Sequence, residues 1–269
     1  MNHLFRELAP ITEPAWEQIE EEATRSLRHF LAARKLIDVS GPHGWGRSAI
    51  DLDRISTLSD PPADGTEAAA RKVLPLIEVR TPFSLKLSDL AAADRGATNL
   101  DLDAVVDAAR LAATAEDGSI FHGYPAAKID GLTSASVHDP ITISDDYDDY
   151  PSHVAKAVAV LRAAGVDGPY AIALGPRCYT GVVESTEHGG YPVFEHLKLI
   201  LGGKVIWAPA VDGAVVTSQR GGDAEIVIGQ DYAIGFRSTD GDKVNLYLEE
   251  SFAFRVNSPE AAIALTYPS

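Results

Sequence analysis

Apolar positions in the first part of the chain recur at spacings of three and four. Trp16, Ile19, Ala23, Leu27, Phe30 and Leu31 make one stripe, which predicts a helix over residues 13–34. Thr12 is placed to cap it, and Pro14 suits a first turn that needs no amide hydrogen there. Glu17, Glu20, Glu21 and Glu22 fall in the first half and Arg25, Arg28 and Arg34 in the second, an order that complements the helix dipole. A stripe of this kind ordinarily docks a helix on its own core; binding a partner is the alternative.

The cleanest period of two lies at residues 77–87. Ile77, Val79, Thr81, Phe83, Leu85 and Leu87 face one way, while Glu78, Arg80, Pro82, Ser84 and Lys86 face the other. Pro82 cannot donate to a ladder, so the strand belongs at a sheet edge or in a two-stranded ribbon. Residues 50–58 also read as extended. The soft connection Asp60-Pro61-Pro62-Ala63-Asp64-Gly65 and a short Ala-rich helical turn separate the two. Together they suggest an arm, which is rarely stable alone and needs cover from its own domain or a neighbouring subunit.

Elsewhere the pattern predicts a short strand at 36–39, helices near 101–116, 151–165, 176–183 and 192–201, and a buried strand at 170–174. From Lys204 onward strands dominate, at 205–207, 215–218, 226–228, 233–237 and 244–256, with Asp240-Gly241 as a hairpin turn between the last two. Helices and strands mix without regular alternation, so the fold class is α+β.

Charge and composition narrow the chemistry. The chain has 269 residues, 23 Lys and Arg against 39 Asp and Glu, and a formal charge of −16. Such a surface repels phosphate backbones and anionic headgroups, so neither nucleic acid nor membrane is an expected partner. The start lacks a signal peptide's apolar core, and no apolar run is long enough to span a bilayer. Cys178 is the single cysteine, so no disulfide joins the chain to itself and a cytosolic setting is the simpler one. Eight scattered histidines form no zinc-protease pair, and no phosphate loop, dinucleotide fingerprint or serine elbow is present. The acidic run at 145–149 lacks the glycine and closing glutamate of a calcium loop; no metal or other cofactor is expected. With no nucleophile, cofactor or metal pattern, assembly is a better expectation than catalysis.

Several runs are recognisable. Leu8-Ala9-Pro10-Ile11-Thr12, Trp16 and the stretch Ala32-Ala33-Arg34-Lys35-Leu36-Ile37-Asp38-Val39-Ser40-Gly41-Pro42 resemble the opening of the encapsulin shell proteins, the linocin-type bacteriocin family. Asp167-Gly168-Pro169-Tyr170, Gly189-Gly190-Tyr191-Pro192 and Gly229-Gln230-Asp231-Tyr232-Ala233-Ile234-Gly235 follow in order. The ending, Leu246 through Val256 and then Pro259-Glu260-Ala261, is the most distinctive, and the match spans the chain.

The resemblance implies an HK97-like tailed-phage major capsid fold. Its parts would be an N-terminal helix and the start of a peripheral domain (1–45), an extended arm (46–90), peripheral domain with spine helix (91–130), axial domain (131–217), and a return to the peripheral domain (218–269). The arm's apolar face would be Ile77, Val79, Phe83 and Leu85, buried against a neighbour. The resemblance further implies a homo-oligomeric icosahedral shell of the smallest class (T=1), a compartment within the cytoplasm. Its cargo enzyme would dock by a C-terminal targeting peptide, with a dye-decolourising peroxidase favoured and a ferritin-like protein next. The peptide pocket would involve Phe30, Arg34, Asp38, Gln230, Asp231 and Ile234, and a five-fold pore loop would carry Glu184, Glu187, His188 and Tyr191. Some relatives bind flavin through an aromatic residue just after the arm strand; Ser88 stands there, so no flavin is expected. The competing readings are an enzyme or secreted bacteriocin, and a phage-derived capsid that packages DNA.

Overall fold

Asp117 ends the first helix. In a computed structural model that describes residues 3–187 and 189–268, α1 (Glu13–Phe30) stops four residues before Arg34. The backbone amides of Ala32 and Ala33, which would have continued its ladder, instead donate to the Asp117 carboxylate at 2.8 and 3.0 Å. Residues Ala33–Lys35 then tighten into a 3₁₀ turn. Thr12 sits at the N-cap but makes no cap bond; its hydroxyl donates to Asp94 instead.

The chain continues through β1 (Asp38–Ser40), β2 (Ala49–Thr57), β3 (Ala69–Pro75), β4 (Ile77–Lys86), α2 (Leu87–Ala93) and α3 (Asp103–Phe121). Next come α4 (Leu132–Ala135), β5 (Ile141–Thr142), α5 (Tyr150–Ala163), β6 (Tyr170–Leu174), α6 (Pro176–Glu184) and α7 (Val193–Leu201). It closes with β7 (Val205–Trp207), β8 (Ala214–Ser218), β9 (Ala224–Ile228), β10 (Ala233–Asp240), β11 (Lys243–Val256) and β12 (Ala262–Thr266).

Two five-stranded sheets organise the molecule. In the first, β11 pairs antiparallel with β4 on one side and with β9 and then β10 on the other, and β1 lies parallel beside β9. The β10–β11 hairpin turns through Gly241 and Asp242, where Gly241 takes the left-handed φ of 57° that glycine tolerates. Phe83, Leu85, Val244, Leu246, Leu248 and Ile234 bury one face of this sheet under α1 and α3. The second sheet runs β5-β12-β8-β6-β7, with α5, α6 and α7 packed over it. Ala32, Ala33, Leu36, Phe252 and Phe254 meet Ala171, Ala173 and Val215 in a third apolar cluster that bridges the two sheets.

The structure corrects three expectations. Ile77, Val79, Phe83 and Leu85 are not the arm: β4 pairs with β11 along its length, from Ile77 opposite Phe252 to Lys86 opposite Lys243. Its period of two follows from burial on the protein's own core, and Pro82 is accommodated because β11 is its one strand partner among the described residues. The ribbon is β2–β3 alone, paired from Ala49 opposite Pro75 to Thr57 opposite Ala69, with a register break between Asp51 and Ile55. The Ala-rich segment expected to be helical is its second strand, held extended by pairing with β2. The last strand, within the segment expected to return to the peripheral unit, is β12, which pairs with β8 in the second sheet. Its five apolar and small residues are buried or nearly so, which places them there and not beside β11.

Candidate functional site

The residue just past α1, Arg34, gathers side chains from three other parts of the fold. Its guanidinium forks onto Glu116 of α3, with Nε to Oε1 at 2.8 Å and Nη2 to Oε2 at 2.6 Å. Nη2 also donates to Oε2 of Glu250 on β11 at 2.9 Å, and Nη1 to Oδ1 of Asp231 between β9 and β10 at 2.8 Å. Tyr232 lies beneath, its ring centroid 5.2 Å from the guanidinium carbon and its hydroxyl donating to the Ala112 carbonyl at 3.2 Å. Burial works against the Arg34 charge, but the hydrogen bond and attraction from Glu116, with Glu250 and Asp231, raise its pKa above the usual guanidinium range. Burial pushes the Tyr232 phenol up as well.

Beside this cluster lies a groove of about 390 Å³. Leu27, Leu31 and Tyr232 give it an apolar surface, and Thr24, Arg28, Arg34, Lys35 and Asp231 give it polar edges. An apolar floor with a few charges at its margin suits a short extended peptide. The groove is open because α1 ends early: the capture of Ala32 and Ala33 by Asp117 turns the chain down into the third cluster and leaves the helix end standing over the β9–β10 junction.

Of the residues expected in the peptide pocket, Arg34 and Asp231 are joined and border the groove. Phe30 stands apart at the helix end, its ring 4.9 Å from His29 and 6.1 Å from Trp207. Asp38 borders a separate cavity of about 230 Å³ and accepts the Gly222 amide at 2.6 Å. Gln230 is held through its backbone, whose N–H donates to Ser251 Oγ at 2.9 Å. Ile234 is a core residue, 4% exposed under the helices, and not a groove contact. Tyr232 lies within the expected run 230–234, whereas Leu31, Arg28, Glu116 and Glu250 were not expected in these roles. The signal available for the acids was their type: Glu250 interrupts an apolar strand and Glu116 an alanine-rich helix face.

The expected pore loop is a hairpin between α6 and α7. Thr186 bridges Pro192, and the Glu187 amide donates to the Tyr191 carbonyl at 2.9 Å. Glu184 and Tyr191 are exposed, whereas Glu187 is half-buried and tied back to His196 Nδ1 at 2.6 Å. His188 lies outside the described residues. In the acidic run, Asp145 pairs with Arg177 and Asp146 caps the turn that leads into α5. Cys178 is buried between the Tyr150 and Tyr267 hydroxyls at 2.6 and 3.1 Å, and burial raises its thiol pKa, the opposite of an activated nucleophile. Among the described residues no group of three or more His, Cys, Asp or Glu is arranged to hold a metal ion, and no helix is long and apolar enough to cross a membrane.

Comparison with known proteins places this geometry. A model of the family described as an encapsulating protein for peroxidase matches residues 1–253. The type 1 encapsulin shell protein of Rhodospirillum rubrum is 47% identical over 270 residues, covering 98% of this chain and 96% of its own. Among solved structures, the virus-like particle of Pyrococcus furiosus superposes with a TM-score of 0.64 at 16% identity, over 92% of this chain and 98% of that one. A chain of Mycobacterium phage Bobi gives 0.59 at 17% identity, over 88% and 90%.

The fold is thus that of the HK97-like capsid proteins. Within that class the chain belongs to the encapsulin family, and it is a structural shell protein.

Proposed function

We propose that this chain closes into a T=1 icosahedral compartment in the cytoplasm and encloses a cargo enzyme, a dye-decolourising peroxidase before a ferritin-like protein. The observation that carries this reading is the groove beside α1, an apolar strip of Leu27, Leu31 and Tyr232 bordered by Arg34 and Asp231. The family description, which names a peroxidase, supports the choice of cargo. A C-terminal peptide of the cargo lies along that strip. One such contact is weak, and an oligomeric cargo gains by engaging several grooves at once.

Co-expression with a peroxidase carrying its own C-terminal tail tests the reading. Wild-type shells should retain it through size exclusion, and Arg28→Glu, which reverses a charge on the exposed edge of the groove and leaves the core intact, should reduce retained cargo by about tenfold while shells still form. Equal loading would reject the groove as the docking place.

The 184–191 hairpin is proposed to line the five-fold opening, with Glu184 as the acid free to face it and Glu187 committed to His196. A ring of carboxylates favours cations. Glu184→Gln should therefore slow entry of a divalent cation into a loaded shell at low ionic strength, measured by stopped-flow with an enclosed indicator. An unchanged rate would remove the assignment.

A further inference from the structure

Two carboxylates share one nitrogen in the wall of the groove. Arg34 Nη2 donates to Oε2 of both Glu116 and Glu250, and both acids are wholly buried. The guanidinium fork is already matched by Glu116, and its remaining edge is directed to Asp231. Glu250 has no counter-charge of its own. Its second oxygen, Oε1, is buried and has no hydrogen-bond partner. An ionised carboxylate in that position would leave a bare anionic oxygen in low dielectric, among the least favourable arrangements in a protein interior. Arg34 and the Tyr232 hydroxyl ease that charge in part, but burial and repulsion from Glu116 outweigh them. From α3 comes Asp117, another acid; from the turn after α1 comes Lys35, whose amine points to the His29 carbonyl at 3.3 Å; from the β9–β10 junction comes Tyr232. Glu249, next along β11, is engaged by His3 and Arg80.

We propose that Glu250 holds a proton directed toward Glu116, and that its release as pH rises loosens the end of α1 from β11 and so alters the groove. The protonated acid satisfies itself by donating toward the facing carboxylate, which an anion cannot do. Burial and repulsion from Glu116 keep the Glu250 pKa well above the ordinary glutamate range. Asp117 differs: burial pushes it up to about 7 against the pull of the Ala33 and Ala32 amides, so it ionises near neutrality.

The sign of the linkage follows. A folded acid that keeps a proton which the unfolded chain loses above about pH 4.3 binds more protons when folded. Stability then falls as pH rises from that value to the folded acid's own release, and is flat beyond it. Above about 7, where Asp117 has ionised, the buried Cys178 thiol and phenols add a slope of the same sign at higher pH, so the part that belongs to Glu250 is the difference between wild type and a Glu250 variant. The consequence for cargo rests on the docking reading above; the proton itself does not, and empty shells suffice to test it.

The experiment compares wild-type and Glu250→Gln shells, without cargo, by thermal unfolding and by hydrogen–deuterium exchange of residues 24–35 from neutral to alkaline pH. Glutamine keeps an acceptor for Arg34 and stays neutral, so it mimics the protonated acid at every pH. Wild type should lose midpoint temperature above neutrality, and its helix-end amides should open by up to tenfold per pH unit beyond the intrinsic rate, the limit for one proton. Glu250→Gln should remove the part of that slope that belongs to Glu250 and melt higher than wild type at alkaline pH. Parallel curves for the two proteins would overturn the proposal. If the variant fails to assemble, infrared difference spectra of wild-type shells decide. A protonated-carboxyl carbonyl band should persist well above neutrality, and its absence would overturn the proposal equally.

Discussion

Arg34→Ala should cost the protomer about 3–5 kcal/mol. Four groups depend on the guanidinium: Glu116 and Glu250, both wholly buried, Asp231, and the Tyr232 ring beneath. Removing it strands these buried acids and severs a side chain that ties the end of α1 to α3, β11 and the β9–β10 junction together. Against a typical domain stability of about 5–15 kcal/mol, the loss is large enough to prevent shells from accumulating. Arg34→Lys should recover little, because a point-charge ammonium cannot reproduce the fork onto Glu116. Thermal unfolding of purified shells, or the yield of shells where none melt cleanly, reads the outcome. An Arg34→Ala midpoint within a degree or two of wild type, at roughly 2–4 °C per kcal/mol, would show that the cluster is not holding the helix end.

Excising the tip of the ribbon should have the opposite profile, with a fold that survives and an assembly that does not. Beyond Ile50 and Leu74, which pack on Val227 and Ala253, β2 and β3 contribute almost nothing to the protein's own core. Ile55 is 67% exposed and Val73 49%. A two-stranded ribbon with exposed apolar residues is marginal by itself, and a neighbouring copy is the natural cover for it in a protein that builds a wall. Replacing residues 52–73 by a short Gly-Ser link should leave the helical circular dichroism signal and the melting temperature near those of wild type. Closed particles should be absent by negative-stain microscopy and light scattering. Normal shells from the truncated chain would sink the idea that the ribbon closes the lattice.

The ribbon is confined to β2–β3, and residues 77–86 are instead a strand of the first sheet. Residues 77–87 show the clearest alternation because one face is buried under α3, and a period of two reports burial without saying whose surface does the burying. The ribbon shows a weak pattern for the same reason: most of its residues pack on nothing in the chain's own core, and its second strand is alanine-rich enough to read as a helix. The peptide groove divides similarly. Arg34 and Asp231 were legible as charges in family motifs, and the structure joins them at 2.8 Å. Ile234 belonged to the same run, yet strand alternation turns it into the core.

Local pattern determined the α+β class, the first helix, the β10–β11 hairpin and the family itself, since these depend on periodicity and on runs of neighbouring residues. Tertiary structure decided where α1 stops, because the acceptor for its would-be continuing amides is Asp117, more than eighty positions away. It also decided that β12 joins the second sheet and that Glu250 shares Arg34 with Glu116. Pairing, capping and desolvation across long separations are set by which groups meet in space, and no periodicity along the chain encodes that meeting.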